Sequence, residues 1–286
     1  MSTLASRKVG RIVRRALLYF AVLLLVASII GPFYWLIVSS LSDLKDLVAI
    51  PLRFFPRHIT FERYIKIFTA QEGASFRFAI RNSISVAALA TTVSLIVAIF
   101  ASYSLSRFPG PRRSNMLYVM LATYMMPPVA ILLSLYITLR QLHLVNTIWG
   151  LSIVYCSFLA PFLTWILKGF IDTVPKDIEE AATIDGASRL GTLMRIVLPI
   201  AVPGIIAAVL LGVLMAWDEF FYALIFTSTN QAVTLPVAIA QFTKRHEVDY
   251  GMMATGGVIA ALPPVLLAVL LQRYLIQGLT SGSVKG

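Results

Sequence analysis

Charged residues are scarce in this chain of 286 residues. Asp, Glu, Lys and Arg together make up 13% of it, whereas soluble domains carry about 25%. Hydrophobic residues reach 58%, and the mean hydropathy is +0.84. A soluble core of this size could not enclose so much apolar surface. The composition therefore excludes an ordinary soluble domain and predicts a protein whose solvent is the lipid bilayer.

Cysteine and histidine are nearly absent. Cys156 is the only cysteine and lies in an apolar run, so no disulfide can form within the chain. Only three histidines are present, and no cluster of metal ligands and no nucleophile beside a base stands out. A phosphate loop of the form G-x-x-x-x-G-K-[ST] is missing, because Thr192 follows Gly186 and Gly191 where lysine is needed. We therefore expect no catalytic residue, no metal site and no cofactor in this chain.

Long uncharged stretches dominate what is present. A membrane-spanning helix needs about 20 mostly apolar residues. Six stretches meet this requirement, at 16–42, 82–106, 114–139, 141–167, 196–217 and 250–272. They predict an all-α polytopic membrane protein with about six transmembrane helices. In a further stretch, 220–243, we interpret the start as the end of the fifth helix and the rest as an outer loop or re-entrant segment. A seventh span is the alternative.

The net charge of +11 is distributed in short basic clusters between the apolar stretches, unlike a continuous nucleic-acid footprint. The segment 1–15 holds one cluster, Arg7, Lys8, Arg11, Arg14 and Arg15. Positive residues beside a span favour the cytoplasm, so we expect a retained first helix and cytoplasmic termini. The connection between the second and third spans, which holds Arg107, Arg112 and Arg113, is then also expected in the cytoplasm. The segment 43–81 fits this charge rule poorly, because it carries seven Lys and Arg residues and the six-span topology would place it outside the cytoplasm.

The connection at about 172–199 is predicted to form two short helices around a turn. Thr173 can cap the first helix, and Pro175 fits one of its early positions. Gly186 suits a left-handed residue after the helix end, and Ser188 can cap the second helix. An apolar stripe at helical spacing follows, formed by Leu190, Leu193, Met194 and Val197. Periodicity alone is explained equally well by an amphipathic interfacial hairpin that merely links two spans.

Seven residues of this connection follow the pattern E-A-A, three residues, G, nine residues, I-x-L-P. They are Glu180, Ala181, Ala182, Gly186, Ile196, Leu198 and Pro199. The pattern resembles the signature loop of the permeases of ATP-binding-cassette (ABC) importers that work with a substrate-binding protein. The resemblance implies a cytoplasmic coupling helix that docks into a cleft on an ATPase subunit. It also implies that these seven residues, together with Asp185, carry the coupling.

Two features of the first short helix lead to local expectations. Ile178, Ala181 and Ala182 share one face of it. Glu180 lies near its end, where the helix dipole does not favour an acid. We therefore expect a basic partner for Glu180, either Arg189 or a group on the ATPase.

The resemblance extends over nearly the whole chain and is strongest to the carbohydrate-importer branch of these permeases, which includes maltose and trehalose types. The hexapeptide at 59–64, Asn82-Ser83, the octapeptide at 101–108 and the tail at 278–286 each resemble a short element of that branch. Trp217-Asp218-Glu219-Phe220 resembles a Trp-Asn-Asp/Glu-aromatic element in the fifth helix, although Asp218 departs from the usual Asn.

These likenesses imply a role and a set of partners. The chain is expected to form a single transmembrane permease domain, 1–286, in the inner membrane of a bacterial or archaeal cell. It is expected to move a sugar or sugar derivative together with a second permease, in a heterodimer. Two ATP-binding subunits would bind ATP and Mg²⁺, and an extracytoplasmic binding protein would deliver the solute. The chain itself would be no enzyme.

Asp218 and Glu219 are adjacent acids at the end of a long apolar helix, beside Trp217. Acids within a membrane are costly and often functional, so these three residues are candidates for the pathway or an outer gate. Adjacent helical residues point in different directions, so at most one acid faces the pathway. The alternative is an interfacial position with no such role. For the whole chain, the alternatives are an ion-coupled secondary transporter and a membrane scaffold without transport activity.

Overall fold

The computed structural model describes the backbone of residues 2–69, 71–108, 110–243 and 249–281. Over these ranges the chain is helical, without a strand. Residues 282–286 of the tail lie outside the described part, as do the side chains of Arg7, Lys8, Arg11, Arg112 and Arg113.

Four long helices and several shorter ones make up the described chain. The helices are α1 (Ser2–Leu41), α2 (Leu44–Leu47), α3 (Glu62–Thr69), α4 (Gln71–Arg107), α5 (Pro111–Tyr124), α6 (Pro128–Gln141), α7 (Ile148–Ile171), α8 (Lys176–Ile184), α9 (Arg189–Thr192), α10 (Leu198–Ile200), α11 (Val202–Trp217), α12 (Phe221–Phe226), α13 (Leu235–Ala240) and α14 (Tyr250–Ser281). A π-helical turn, Leu193–Val197, joins α9 to α10.

Four of these helices are long and apolar enough to cross a membrane: Val13–Leu41, Ser75–Arg107, Ile148–Ile171 and Tyr250–Gln272. Two bent pairs have the same composition, Asn115–Tyr124 with Pro128–Gln141 and Arg189–Ile200 with Val202–Trp217. If each bent pair is one span, six spans result, and each overlaps one of the six predicted stretches, with ends that differ by up to seven residues. The prediction of an all-α membrane protein is confirmed.

Both bends lie at prolines. The first pair turns by 86° at 125–127, where Pro127 precedes Pro128, and a residue before proline is disfavoured in the helical region. The second pair turns by 79° at Ala201. Pro203 lies in the first turn of α11 and has no N–H to donate back to the preceding turn, so the helix restarts there.

The stretch 220–243 contains no seventh span, because α12 and α13 each have only six residues. The fifth helix ends at Trp217, so the interpretation of Phe220 as part of that helix is wrong. Ala232, Val233 and Leu235 are nevertheless buried. The second half of the segment between the two short helices is therefore packed into the protein, whereas residues 228–231 are exposed.

The described residues form two compact units. One comprises those between Met1 and Ile67 and between Phe242 and Ile259, and the other those between Phe68 and Gln241 and between Ala260 and Gly286. In the first unit, Asp46 is buried and accepts hydrogen bonds from the Arg53 guanidinium and, at 3.1 Å, from the Arg57 backbone N–H. Lys66 pairs with Glu62 at 2.7 Å. Two of the seven basic side chains at 43–81, those of Arg53 and Lys66, are thus paired with acids of the same segment.

The second unit is built on the packing of α4, α7 and α11. Ala98 of α4, Leu163 and Leu167 of α7 and Ala208 of α11 form a fully buried cluster. Small residues let the helices approach closely, as is usual between membrane helices. At Gly212, an added Cβ would lie 2.9 Å from Cγ2 of Thr91. This close packing places the ends of α4 and α7 side by side at the loop 172–199.

Candidate functional site

The loop 172–199 consists of two short helices around a turn, as the sequence predicts. Helix α8 is Lys176–Ile184, and α9 is Arg189–Thr192. Ile196, Leu198 and Pro199 lie in the π turn and α10, which lead into the bent fifth span. The E-A-A residues and the I-x-L-P residues therefore lie on opposite sides of one compact turn.

Gly186 adopts the left-handed conformation expected for it, with φ of +83°. Its N–H donates to the carbonyl of Thr183 at 3.1 Å, and the N–H of Ala187 donates to the carbonyl of Ala182 at 2.9 Å. These two bonds form a Schellman motif, which satisfies carbonyls at the end of α8. Ser188 Oγ then accepts from the N–H of Gly191 at 3.2 Å and caps α9. The turn thus has defined hydrogen bonds on both sides.

The prediction that Thr173 caps α8 is wrong. Its hydroxyl donates back to the carbonyl of Phe170 at 2.7 Å, at the end of α7. Helix α8 begins three residues later at Lys176, directly after Pro175. A threonine hydroxyl can satisfy a carbonyl in the preceding turn as readily as an N–H in the following one, and sequence alone does not separate these choices.

The apolar stripe divides into two parts. Leu193 and Val197 are buried and pack with Ile171. Leu190 and Met194 are 58% and 54% exposed. Together with Ile184, which is 86% exposed, they leave an apolar surface on the loop. Uncovered apolar patches beside polar residues are typical of protein interfaces.

The face of α8 that Ile178, Ala181 and Ala182 share is buried at one end of that set only. Ala182 is buried, but Ile178 and Ala181 are exposed. The residue that shares the buried face with Ala182 is Glu179, three positions earlier. This glutamate was missed by sequence reasoning. The i, i+3 spacing to Ala182 was the available signal.

Glu179 forms a buried ion pair with Arg107, the last residue of α4. Nε of Arg107 lies 2.6 Å from Oε1 of Glu179, and the two side chains are only 9% and 10% exposed. The Tyr103 hydroxyl donates to Oε2 of Glu179 at 3.1 Å. Arg107 Nη2 also donates to the carbonyls of Ile171 and Val174, both at 2.9 Å. One guanidinium therefore joins the ends of α4 and α7 to α8.

Glu180 lies on the exposed side of α8. Within the described part of the chain, its carboxylate makes no hydrogen bond or ion pair. The Arg189 guanidinium instead lies over the ring of Phe108, with 4.6 Å between Cζ and the ring centroid. The structure thus contradicts the expected Glu180–Arg189 pair, because the aromatic face holds the arginine. The other expected partner, a group on the ATPase, stays a prediction.

A cavity of about 330 Å³ lies between the end of α4 and the loop. Basic, acidic, hydroxyl-bearing and aromatic side chains line it: Tyr103, Arg107, Phe108, Lys176, Glu179, Glu180, Thr183, Arg189 and Thr192. Such a polar lining does not suit an apolar ligand.

The residues at 217–219 have three different environments. Trp217 is buried, and its indole N–H donates to the carbonyl of Ala260 at 3.1 Å. The Glu219 carboxylate accepts the backbone N–H groups of Tyr222 and Ala223 at 2.8 and 3.1 Å. It therefore caps the N-terminus of α12, where an acid is favoured by the helix dipole. Asp218 is exposed, and within the described residues its carboxylate has no such partner.

Two asparagines fix the segment between α12 and α13. Asn82 Nδ2 donates to the carbonyls of Asn230 and Val233 at 3.1 and 3.0 Å. Asn146 Oδ1 accepts the N–H groups of Ser228 and Thr229 at 2.9 and 3.0 Å. These contacts bridge more than 80 residues of sequence, so local patterns could not predict them.

Comparison with known proteins decides the family. The family described as "binding-protein-dependent transport system inner membrane component" matches residues 90–281, which include the whole loop 172–199. The chain belongs to this family. It is accordingly a transport permease subunit of the inner membrane.

Individual relatives cover almost the whole permease. The trehalose/maltose transport system permease protein of Thermococcus litoralis is 33% identical over 276 residues, covering 96% of this chain and 98% of its own. The sulfoquinovosyl glycerol transport system permease protein of Agrobacterium fabrum is 32% identical, with 95% and 94% covered. A crystal structure of a bacterial ABC transporter involved in the import of alginate aligns with a TM-score of 0.77 at 20% identity, over 91% of this permease and 96% of that chain. The last likeness supports the fold.

Proposed function

We propose that this permease moves a sugar or sugar derivative into the cell, using ATP that partner subunits hydrolyse. The observation that carries the proposal is the end-to-end similarity to permeases named for trehalose, maltose and sulfoquinovosyl glycerol transport. In this proposal a second, different permease completes the pathway, and two ATP-binding subunits hold ATP and Mg²⁺. An extracytoplasmic binding protein delivers the solute.

The loop 172–199 would face the cytoplasm, as would both termini, and would receive the ATPase. Its exposed apolar residues, Ile184, Leu190 and Met194, support an interface there. The residues proposed to carry coupling are Glu180, Ala181, Ala182, Asp185, Gly186, Ile196, Leu198 and Pro199. Closure of the ATPase pair would pull the coupling helices of the two permeases together and rock their spans from inward-open to outward-open.

At the opposite end of the fifth span, Asp218 is the stronger gate candidate. Its carboxylate is exposed, whereas that of Glu219 is occupied in capping α12 and Trp217 is buried. Of these three residues, Asp218 therefore has the acid group that is free for contact with solute or with the binding protein.

Uptake by the full complex in lipid vesicles tests the proposal. Vesicles contain the two permeases and the ATPase subunits, with the binding protein and a radiolabelled sugar outside and ATP or ADP inside. A panel of disaccharides and sugar glycosides is used, with a free amino acid as the control solute. The proposal predicts uptake of a sugar with ATP and none with ADP. Uptake that follows an ion gradient without ATP would establish a secondary transporter, and no uptake of any sugar would contradict the proposal.

A further inference from the structure

The Arg107 side chain is placed where three helices end or begin. It is the last residue of α4, it donates to the carbonyls of Ile171 and Val174 around the end of α7, and it pairs with Glu179 of α8. The contacts extend over 64 to 72 residues of sequence. A planar guanidinium presents its donors in a rigid fork, so the position of Glu179 is fixed relative to both spanning helices at once.

The Arg107–Glu179 pair is more deeply buried than the other ion pair at the same junction, Lys168–Asp172. Lys168 and Asp172 are also 2.6 Å apart, but their side chains are 24% and 43% exposed. Water can replace either partner in that exposed pair. The Arg107–Glu179 pair is largely shielded, and losing one partner leaves an uncompensated buried charge. The buried pair is therefore a charged contact that resists separation of α8 from α4.

Adjacent acids of α8 face opposite environments. Glu180 is exposed on the surface proposed to receive the ATPase, whereas Glu179 points to Arg107 and the Tyr103 hydroxyl. A force applied to the exposed side of α8 reaches the spans along the backbone on either side of the helix and through the contacts on its inner side. The Glu179 carboxylate makes the charged contact there.

We propose that Arg107 and Glu179 are positioning residues that transmit the displacement of α8 to α4 and α7 during ATP-driven transport. This inference rests on the proposed function. In this proposal the ion pair is the rigid connection between the exposed surface of α8 and the spanning helices α4 and α7. Neither residue contacts ATP or solute in this account.

The test uses the complete complex in vesicles and a double-mutant cycle of Glu179→Gln, Arg107→Gln and the double variant. The matched control is Asp172→Asn, an acid-to-amide change in the exposed pair of the same junction. Three quantities are measured: basal ATP hydrolysis, its stimulation by the loaded binding protein, and sugar uptake. Basal hydrolysis reports assembly and catalysis by the ATPase, and the stimulation factor reports coupling.

Each single variant should lower the stimulation factor and uptake by about fivefold or more, the lower end of typical coupling between sites, with basal hydrolysis unchanged. The double variant should be no worse than the more severe single variant, because residues that act as one contact are not additive. Asp172→Asn should retain wild-type stimulation. If Glu179→Gln prevents assembly, Glu179→Asp replaces it; it keeps the charge but withdraws the carboxylate, and a lowered stimulation is again expected.

Two negative results have different meanings. If the wild-type complex shows no ATP-driven uptake, the proposed function is overturned and this inference with it. If the wild-type complex transports and the variants retain full stimulation, or lose basal hydrolysis in proportion, only the positioning role is overturned.

Discussion

Replacing Gly186 by valine isolates the contribution of one backbone angle to coupling. A Cβ added at this glycine would meet no heavy atom within 4 Å, so crowding contributes nothing. The cost arises from φ of +83°, a region that costs a residue with a Cβ about 1–2 kcal/mol. Valine should cost more than alanine, because it is branched at Cβ. A change of this size lowers the ratio of the native turn to its alternative conformations by a factor of about 5–30.

Gly169→Ala is the matched control for this change. Gly169 is in α7, and a Cβ there would also have nothing within 4 Å, but its φ is not positive. Alanine in a helix is favoured over glycine by about 0.5–1 kcal/mol, so this variant should be neutral or slightly more stable.

The assay combines uptake, stimulated ATP hydrolysis and protease cleavage of the loop 172–199, all at matched amounts of inserted protein. Gly186→Val should insert normally, because the hydrophobicity of the spans is unchanged. It should also be cleaved faster in the loop and lose most uptake and stimulation, with Gly186→Ala intermediate. If Gly186→Val behaves like Gly169→Ala in all three measurements, the defined turn has no part in coupling and the loop is a passive linker.

Three further predictions concern acidic residues. Glu180→Lys should insert normally but show little uptake and poor stimulation of ATP hydrolysis, because it reverses the charge presented to the ATPase; wild-type values for both would end that assignment. Glu219→Ala should lower uptake and speed amide hydrogen exchange of residues 221–226, because it removes the cap of α12. Asp218→Ala should lower uptake without changing that exchange. Unchanged uptake in both variants would make the two acids interfacial residues. The Arg57 N–H lowers the pKa of the Asp46 carboxyl, so Asp46 should stabilise the segment 43–61 above about pH 4 and lose that effect as pH falls through its lowered pKa. Protease cleavage of 43–61 should then rise at low pH in the wild type but not in Asp46→Asn, and the same rise in both would contradict the role of Asp46.

The fold was predictable to the extent that length and apolarity determine it. All six predicted stretches overlap a spanning helix or a bent pair. The bends lie at Pro127 and Pro203, where proline is expected to interrupt a helix, but the size of each bend could not be predicted from the sequence. The short helices α12 and α13 also escaped prediction, because their position depends on Asn82 and Asn146, which are distant in sequence.

The candidate site shows the same division between local and distant effects. Gly186 and Ser188 were correctly placed because turn and cap chemistry is decided within a few residues. The pairing of Glu179 with Arg107 is a contact across 72 residues and depends on how α4 packs beside α7. Sequence reasoning singled out Glu180 from its place in the motif and overlooked its neighbour Glu179, whose spacing to Ala182 was the local signal but whose partner Arg107 is distant in sequence.

Contact between the loop 172–199 and the ATPase is the central claim, and crosslinking tests it most directly. In a Cys156→Ser background, a photoreactive probe is attached at Ile184→Cys, an 86% exposed position beside the turn. A matched probe at the exposed Ser228→Cys, between α12 and α13, is the control. In vesicles containing the whole complex, the account predicts crosslinking to the ATPase subunit from position 184 and none from position 228. Absence of that crosslink from position 184 in a complex that hydrolyses ATP would contradict the account.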